Sequence, residues 1–256
     1  MSRTFSIGCD PEFFLMKNGK PISAIGKVGG TKQQPLPISP NINSSFCVQE
    51  DNVAVEFNIA PAYNSQEFIQ HIRLVMNHLQ KKLKGYEFSQ DSSLIFPKTQ
   101  PKHPKALEFG CDPDYNAWTK DMNPRPEAVD QSLRSAGGHV HVGTKEDPIE
   151  VIRAMDIFLG VPSVKKDPNG ARRRELYGAP GAFRIKPFGC EYRTLSNFWI
   201  FKDELIQWVY EQTAKAIDFV SSGEVVDIKH AEAINNCIIK SDMDAYEYLR
   251  ETYRFE

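Results

Sequence analysis

A mixture of α-helix and β-sheet, the α+β class, is the fold that the sequence predicts, and two kinds of periodicity predict it. Alternating apolar and polar side chains, typical of half-buried strands, occur in residues 5–16, 48–59 and 137–143. Apolar side chains at helical spacing occur in residues 64–83 and 147–159, and further helices are predicted at about 198–220 and 228–238. Strands therefore dominate the first part of the chain and helices the last.

The composition is that of an ordinary globular protein. The chain has 256 residues, 41% of them hydrophobic and 25% charged, which is enough to bury a substantial core. We expect a single domain over residues 1–256, on which the C-terminal helices of residues 198–256 pack. A net charge of −2 gives no global field that would attract nucleic acid or an anionic membrane. No apolar run is long enough to cross a bilayer, so we expect neither a membrane nor a nucleic-acid partner.

The cysteines and the N-terminus indicate the compartment. The five cysteines are widely spaced and form no Cys-x-x-Cys pair, which predicts free thiols in a reducing environment. The N-terminus lacks the charged-then-apolar pattern of a signal sequence. We therefore expect a cytoplasmic protein.

The first predicted element is a hairpin over residues 5–25, with Asn18-Gly19 as its turn. Asp10 and Glu12 are two residues apart on its first strand, so both carboxylates leave the same face. Two adjacent like charges repel unless a cation lies between them, and Mg²⁺ or Mn²⁺ prefers carboxylate oxygen. A solvated strand face is the alternative interpretation of this pair.

A long loop and a second acidic strand follow. Residues 26–47 are rich in glycine and proline, and loops of this length are often lids or binding segments. The strand predicted over residues 48–59 places Glu56 and Asn58 on one face, with Glu50 and Asp51 at its entrance. A solvated edge strand would explain these acids equally well.

The first helix is predicted from its cap. Asn64 heads a capping box with Glu67, an apolar stripe follows, and Gly85 ends the helix. A short strand is predicted at residues 94–96. The motif Gly110-Cys111-Asp112-Pro113-Asp114-Tyr115 then repeats the pattern of residues 8–13, although six residues do not establish a duplication.

Two histidines lie on the strand of residues 137–143. Val140 and Val142 point to the core, so His139 and His141 share the opposite face. Glycines on both sides permit close backbone approach, which suits a metal ligand beside a phosphate contact.

Cations and one acid follow the second helix, which Asp147 caps ahead of Pro148. The arginines of residues 172–174 precede a glycine-rich loop and form either a phosphate clamp or a solvated face. Further on, Glu191 and Arg193 leave one face of a strand, and Arg184 lies on the strand before it. A carboxylate can hold a divalent cation and a guanidinium can grip a phosphate, whereas a structural ion pair is the simpler alternative. The final helix is predicted to be capped by Ser241, with Asp244 at N3.

Taken together, these motifs resemble the glutamine synthetase-like carboxylate–amine (COOH–NH2) ligases, and most closely the phage-encoded amidoligases. The resemblance covers residues 5–200 and depends on four motifs in matching order. They are Asp10-Pro11-Glu12-Phe13-Phe14, the acidic strand with Glu56, Gly138-His139-Val140-His141, and the paired strands Arg184-Ile185-Lys186-Pro187 and Glu191-Tyr192-Arg193.

The resemblance implies a curved, mainly antiparallel sheet with helices on its outer face, as in the glutamine synthetase and guanidino kinase catalytic domain. It also implies ATP and Mg²⁺ (or Mn²⁺) as cofactors, and an acyl-phosphate intermediate that an amine attacks. The implied metal ligands are Asp10, Glu12, Glu56, His139 and Glu191. The implied nucleotide contacts are His141, Arg172, Arg174 and Lys186. Arg184 and Arg193 would stabilise the transferring phosphoryl group, and Asp51 would deprotonate the amine.

Some features depart from the family pattern. Asp10 stands where glutamine synthetase has Glu, and the spacing before Glu56 leaves Glu50 and Asp51 as alternative site residues. The separate N-terminal domain of glutamine synthetase is absent, so glutamine synthesis is not predicted. The expected partners are a carboxylate and an amine, as small molecules or peptides, in the host cytoplasm if the chain is phage-encoded, and an oligomer is compatible with the sequence. An amide hydrolase, a guanidino kinase-like enzyme and a non-catalytic nucleotide-binding protein remain alternatives.

Overall fold

The structure is a computed structural model that describes residues 5–97, 100, 114–123 and 132–255. The strands in these ranges are β1 (Ser6–Cys9), β2 (Glu12–Phe13), β3 (Leu15–Lys17), β4 (Lys20–Ile22), β5 (Leu36–Pro37), β6 (Cys47–Asp51), β7 (Ala54–Asn58), β8 (Glu87–Phe88), β9 (Ser93–Ile95), β10 (Tyr115–Asn116), β11 (Leu133–Ser135), β12 (Val140–Gly143), β13 (Ala182–Lys186) and β14 (Gly189–Tyr192). The α-helices are α1 (Ser65–Lys82), α2 (Pro148–Met155), α3 (Val161–Lys166), α4 (Ala171–Leu176), α5 (Asp203–Ser221), α6 (Ala231–Lys240) and α7 (Met243–Tyr253). A π-helical turn, Asp156–Gly160, joins α2 to α3.

Two antiparallel sheets carry most of the strands. The first has the order β1-β12-β14-β13-β10, and the second has the order β2-β7-β6-β5. Smaller sheets are formed by β4-β3-β8 and by β9 with β11. This combination of helices with antiparallel sheets confirms the predicted α+β class.

The first strand-like run of the sequence crosses between sheets. Residues 5–16 were expected to form one strand, but β1 pairs with β12, β2 pairs with β7, and β3 pairs with β4 and β8. Pro11 separates β1 from β2 because it has no N–H to continue a ladder. Its carbonyl instead accepts from Phe57 N (3.3 Å), while Glu12 N donates to the carbonyl of Gly137 (2.8 Å). The two sheets therefore meet beside Asp10. The predicted turn is confirmed, with positive φ at Asn18 (51°) and Gly19 (69°).

The prediction of a single strand over residues 48–59 is also wrong, because these residues form a hairpin of two strands, β6 and β7. Asn52, with a φ of 55°, turns the chain between β6 and β7. Asn is the residue that most readily adopts this left-handed conformation after glycine. As a result Asp51 lies opposite Ala54, and Gln49 lies opposite Glu56.

The helices cover one face of the first sheet. Val140, Val142, Cys190 and Tyr192 are fully buried in the main apolar core, to which α2 and α5 also contribute. Helix α2 packs against β13 and β14, and α1 packs against α5. The alternate residues of the same strands face away from the helices, and these residues line a cavity.

Most helix ends agree with the sequence, but the last one differs. Asn64 Oδ1 accepts from Glu67 N (2.9 Å), and Asp147 caps α2 as predicted. The predicted cap Ser241 has a φ of 55° and ends α6 instead. Asp242 caps α7, because its carboxylate accepts from the two backbone N–H groups of Asp244 and Ala245.

The described cysteines are Cys9, Cys47, Cys190 and Cys237, and all are free, as predicted. Within the described ranges, no helix has the length and apolar character that a membrane span requires. Residues 110–113 of the repeated motif lie outside the described residues.

Candidate active site

A cavity of about 570 Å³ lies where the two large sheets meet. Its charged and histidine wall residues are Asp10, Glu12, Lys32, Asp51, Glu56, His139, His141, Arg184, Lys186 and Arg193. Glu191 is fully buried beneath this wall and contacts several of its members. The structure therefore brings together residues that the sequence separates by up to 183 positions (10 to 193).

Strand register explains why these side chains converge. Gly8, His141, Glu191 and Arg184 lie opposite one another across β1, β12, β14 and β13. Residues in register point to the same face of an antiparallel sheet. In the second sheet, Glu12, Glu56 and Gln49 form a similar row across β2, β7 and β6.

The first candidate metal group is formed by Asp10, His141 and Glu191, whose ligand atoms all lie within 4.8 Å of one another. His141 Nε2 and Asp10 Oδ1 form a buried ion pair at 3.1 Å. His139, the predicted ligand, lies beside this group: its Nδ1 is 3.3 Å from Asp10 Oδ1 and 3.8 Å from Glu191 Oε1. The two histidines thus both approach Asp10, and the compact group contains His141 rather than His139.

The second candidate metal group is formed by Glu12, Asp51 and Glu56, also within 4.8 Å of one another. Three separate strands supply these acids, because the hairpin places Asp51 on β6 and Glu56 on β7. Glu12 Oε2 accepts from Gly137 N at 2.9 Å. Glu50, the alternative to Asp51, is directed elsewhere: its Oε1 accepts from Val28 N (3.2 Å) and Gly29 N (2.9 Å).

Ionisation of the acids of the second group is disfavoured. Burial, reinforced by the charge of Asp51, raises the pKa of Glu12 to about 7. Burial and the charges of Asp10, Asp51 and Glu12 raise the pKa of Glu56 well above its usual value. Burial also raises the pKa of Asp51. Each acid disfavours ionisation of its neighbours, so a bound cation would relieve their repulsion.

The first group is electrostatically different. Burial alone would raise the pKa of Asp10, but His141 and His139 hold it well below its usual range. Burial likewise opposes ionisation of Glu191, yet Arg193 and the histidines lower its pKa to about 2. Burial and the charge of Arg193 lower the pKa of His139 to about 4, whereas Asp10 raises that of His141 against the effect of burial. The carboxylates of Asp10 and Glu191 are therefore ionised near neutral pH.

Three cations surround Glu191. Arg193 makes a short hydrogen bond to Glu191 Oε1, Lys186 Nζ is 2.7 Å from Oε2, and Arg184 Nη1 is 3.6 Å from Oε1. Arg193 Nε also donates to Asp114 Oδ2 at 3.2 Å. Sequence reasoning alone misses Asp114, although it belongs to the repeated Asp-Pro-acid pattern that also occurs at Asp10 and Glu12.

Two of the predicted nucleotide contacts lie away from the cavity. Arg172 is exposed on α4. Arg174 is buried and donates to the carbonyl of Asp167 at 3.1 Å, with the Asp167 carboxylate 3.8 Å away. Arg173, between them, is also buried and donates to the carbonyls of Thr194 (2.8 Å) and Arg193 (3.1 Å). Two members of the arginine run therefore brace the interior and the third is exposed, and none of them lines the cavity.

The donor sets of both groups fit a divalent cation. Carboxylate oxygen with imidazole nitrogen suits Mn²⁺, and three carboxylates suit Mg²⁺ or Mn²⁺. Asp10 Oδ1 and His141 Nε2 are buried 3.1 Å apart, so a cation that binds both atoms would replace their mutual contact.

Buried acids, histidines and cations that face one cavity have the character of an enzyme site rather than of a packed core. Residues 129–222 match the family described as Phage phiEco32-like COOH.NH2 ligase-type 2, and this segment contains His139, His141, Arg184, Glu191 and Arg193. The match supports the predicted family over this segment, and with it an enzyme of the carboxylate–amine ligase kind. No curated protein matches the chain significantly.

Proposed function

We propose that the protein is an ATP- and divalent-metal-dependent ligase that joins a carboxylate to an amine through an acyl phosphate. The observation that carries this proposal is the pair of three-residue ligand groups at one cavity, whose wall also contains Arg184, Lys186 and Arg193. The family match supports the overall reaction, since COOH–NH2 ligation is its description. The proposal includes a glutamine synthetase-like fold for a single catalytic domain over residues 1–256.

Each ligand group has a distinct place in this proposal. Asp10, His141 and Glu191, with His139 beside them, would hold one divalent ion, and Glu12, Asp51 and Glu56 would hold the other. Bound metal ions supply charge neutralisation to the phosphates of ATP. Since Lys186 and Arg184 approach Glu191 in the present structure, these cations are also in position to contact phosphate oxygens.

The proposed reaction has two steps, phosphoryl transfer and then attack by the amine. An oxygen of the substrate carboxylate attacks the γ-phosphorus of ATP, the bond to the β-phosphate oxygen breaks, and ADP leaves. The amine nitrogen next attacks the acyl carbon, inorganic phosphate leaves, and one amine proton passes to a carboxylate, for which Asp51 is the candidate. Arg184 and Arg193 stabilise the negative charge on the transferring group because they are positioned before it develops.

The experiment that tests the proposal is a screen of carboxylate and amine pairs, beginning with amino acids and short peptides, with ATP and Mg²⁺. The expected result is a condensed product by mass, and ADP release that requires both substrates. ADP release with one substrate alone would instead indicate a kinase-like phosphoryl transfer. Amide cleavage without ATP turnover would indicate a hydrolase, and ATP binding without any product would indicate a non-catalytic nucleotide-binding protein.

A further inference from the structure

Gln49 is a buried polar residue in the cavity wall that belongs to neither candidate metal group. It lies on β6 directly opposite Glu56 and is only 4% exposed. Its Oε1 atom is shielded from solvent and has no hydrogen-bond partner among the described residues. A buried carbonyl oxygen without a donor is destabilising, so a ligand with an N–H group or a cation is expected to satisfy it.

The neighbour of Gln49 fixes the direction of its amide. The Gln49 amide donates a hydrogen bond to the Glu56 carboxylate, which opposes the upward shift of the pKa of Glu56. Only the NH₂ group of the amide can donate. Its oxygen therefore points away from that carboxylate. The amide oxygen is thus not a member of the metal group, which consists of Glu12, Asp51 and Glu56.

The surroundings of Gln49 change character along the strand. Asp51 is two residues away on the same face, towards the acidic group. In the opposite direction, the next row of the wall is Cys47 opposite Asn58, which are both uncharged. A molecule bound at Gln49 would thus meet the acidic metal group at one end and a small, neutral surface at the other.

We propose that Gln49 forms the binding subsite for the amine substrate, with its Oε1 accepting an N–H from a primary amine. The amine nitrogen lies beside Asp51, the candidate acceptor of its proton, and its substituent runs along Cys47 and Asn58. This arrangement selects a primary amine with an uncharged group next to the nitrogen. The inference rests on the proposed ligase function, because it assigns the amine of that reaction to one end of the cavity.

The test is a binding experiment that does not require turnover. Methylammonium is titrated into the protein at saturating Mg²⁺, which occupies the acids, and tetramethylammonium serves as a cation of equal charge that has no N–H. Methylammonium is expected to raise the melting temperature more than tetramethylammonium does. Gln49→Met should weaken methylammonium binding by about tenfold, since a hydrogen bond to a charged donor is lost, whereas Gln49→Glu retains an acceptor and should bind methylammonium at least as well.

Two controls separate this inference from its alternatives. Gln70→Met, at an exposed position of α1, should leave methylammonium binding unchanged. If Gln49→Met lowers the affinity for Mn²⁺ as much as that for methylammonium, Gln49 is a metal ligand and the amine subsite is refuted. Equal effects of methylammonium and tetramethylammonium on the wild-type protein would also refute it. A failed condensation screen with intact methylammonium selectivity would remove the ligase proposal but not the subsite.

Discussion

At the scale of single residues, Glu191 is the group whose environment is most constrained. It is fully buried and lies within 4.0 Å of Arg184, Lys186 and Arg193, and it shares a candidate metal group with Asp10. One carboxylate thus contacts three cationic side chains and belongs to a candidate metal group. No neutral side chain of similar size can replace that charge.

Glu191→Gln is therefore expected to reduce ATP-dependent turnover at least a hundredfold, because the cations lose their counter-charge and the metal loses a ligand. Steady-state ADP release measures this effect, and circular dichroism checks that the secondary structure is retained. Glu204→Gln, at an exposed position on α5, is the matched control and should keep full activity. Wild-type turnover by Glu191→Gln would exclude this site.

Asp114 offers a subtler prediction, because it contacts Arg193 and not the candidate metal groups. Its Oδ2 accepts from Arg193 Nε, which leaves the other guanidinium nitrogens for Glu191 and the cavity. Asp114→Asn is expected to lower kcat about tenfold through misaligned Arg193, a loss of about 1.4 kcal/mol of transition-state stabilisation. KM for ATP and Mn²⁺ affinity should change little.

The control for Asp114 is Asp121→Asn in the same segment, where the side chain is exposed. Asp114→Glu should recover part of the activity, since it restores the carboxylate. Equal losses in the Asp114→Asn and Asp121→Asn variants would mean that Asp114 does not position Arg193.

At the scale of elements, the sequence predicts which side chains converge better than it predicts the strands that carry them. Pairs two residues apart, such as His139 with His141, share a face of any strand, so local spacing is sufficient to predict their convergence. The break at Pro11 and the turn at Asn52 depend on which strands the flanking residues pair with. Local periodicity carries no information about these pairings. Local periodicity also does not predict that the arginines at 172–174 lie away from the cavity, because the burial of Arg174 against Asp167 is a tertiary contact.

The loop of residues 26–47 gives an element-scale prediction through Gly30. A Cβ at Gly30 would lie 2.5 Å from Val48 O and 2.7 Å from Leu36 N, and its φ is +76°. Gly26 has nearly the same φ, +77°, with no atom within 4 Å of an added Cβ. Gly26→Ala should cost about 1–2 kcal/mol for the left-handed backbone alone.

Gly30→Ala should cost that amount and a further steric penalty, because backbone atoms of β5 and β6 cannot yield easily. Urea denaturation measures both variants, and the difference between them isolates the close approach of the loop to β6. If the two variants lose equal stability, the loop does not dock tightly there.

Behind the first sheet, Asp156 connects the π-helical turn to a strand and a loop. Tyr192 OH donates to Oδ1 (2.8 Å) and Trp118 Nε1 donates to Oδ2 (2.7 Å). Burial raises the pKa of Asp156 to about 7, against the effect of these hydrogen bonds. The folded state consequently binds a proton that the unfolded state releases between about pH 4 and pH 7.

Because the folded protein holds more protons in that range, the Asp156 contribution to the free energy of unfolding falls as pH rises and levels off above pH 7. The full difference is about 4 kcal/mol, from a shift of about three pKa units. Asp156→Asn should remove this contribution, so its stability should fall less than that of the wild type from pH 5 to pH 8. Urea denaturation in a chelator at both pH values checks this, and parallel pH profiles for the two proteins would contradict it.

At the scale of the whole molecule, metal binding and folding are expected to be linked through the acids of the second sheet. Without metal, Glu12, Asp51 and Glu56 have raised pKa values, so their ionisation destabilises the folded state as pH increases. A divalent cation binds only the deprotonated acids and stabilises the folded state in proportion to its affinity. Metal should therefore offset the destabilisation that alkaline conditions impose.

Mn²⁺ is accordingly expected to raise the melting temperature more at pH 8 than at pH 5.5, where Glu12, with a pKa of about 7, is mostly protonated. The apparent Mn²⁺ affinity should fall about tenfold or more between pH 8 and pH 5.5. Below the pKa of an acid, Mn²⁺ must displace its proton, and the affinity then falls about tenfold for each pH unit. Glu12→Gln should bind Mn²⁺ weakly with a smaller pH dependence, while Glu87→Gln, at an exposed position on β8, should behave as the wild type does. Equal thermal shifts at both pH values would mean that Mn²⁺ does not bind these acids, and the proposal of two metal ions would then be contradicted.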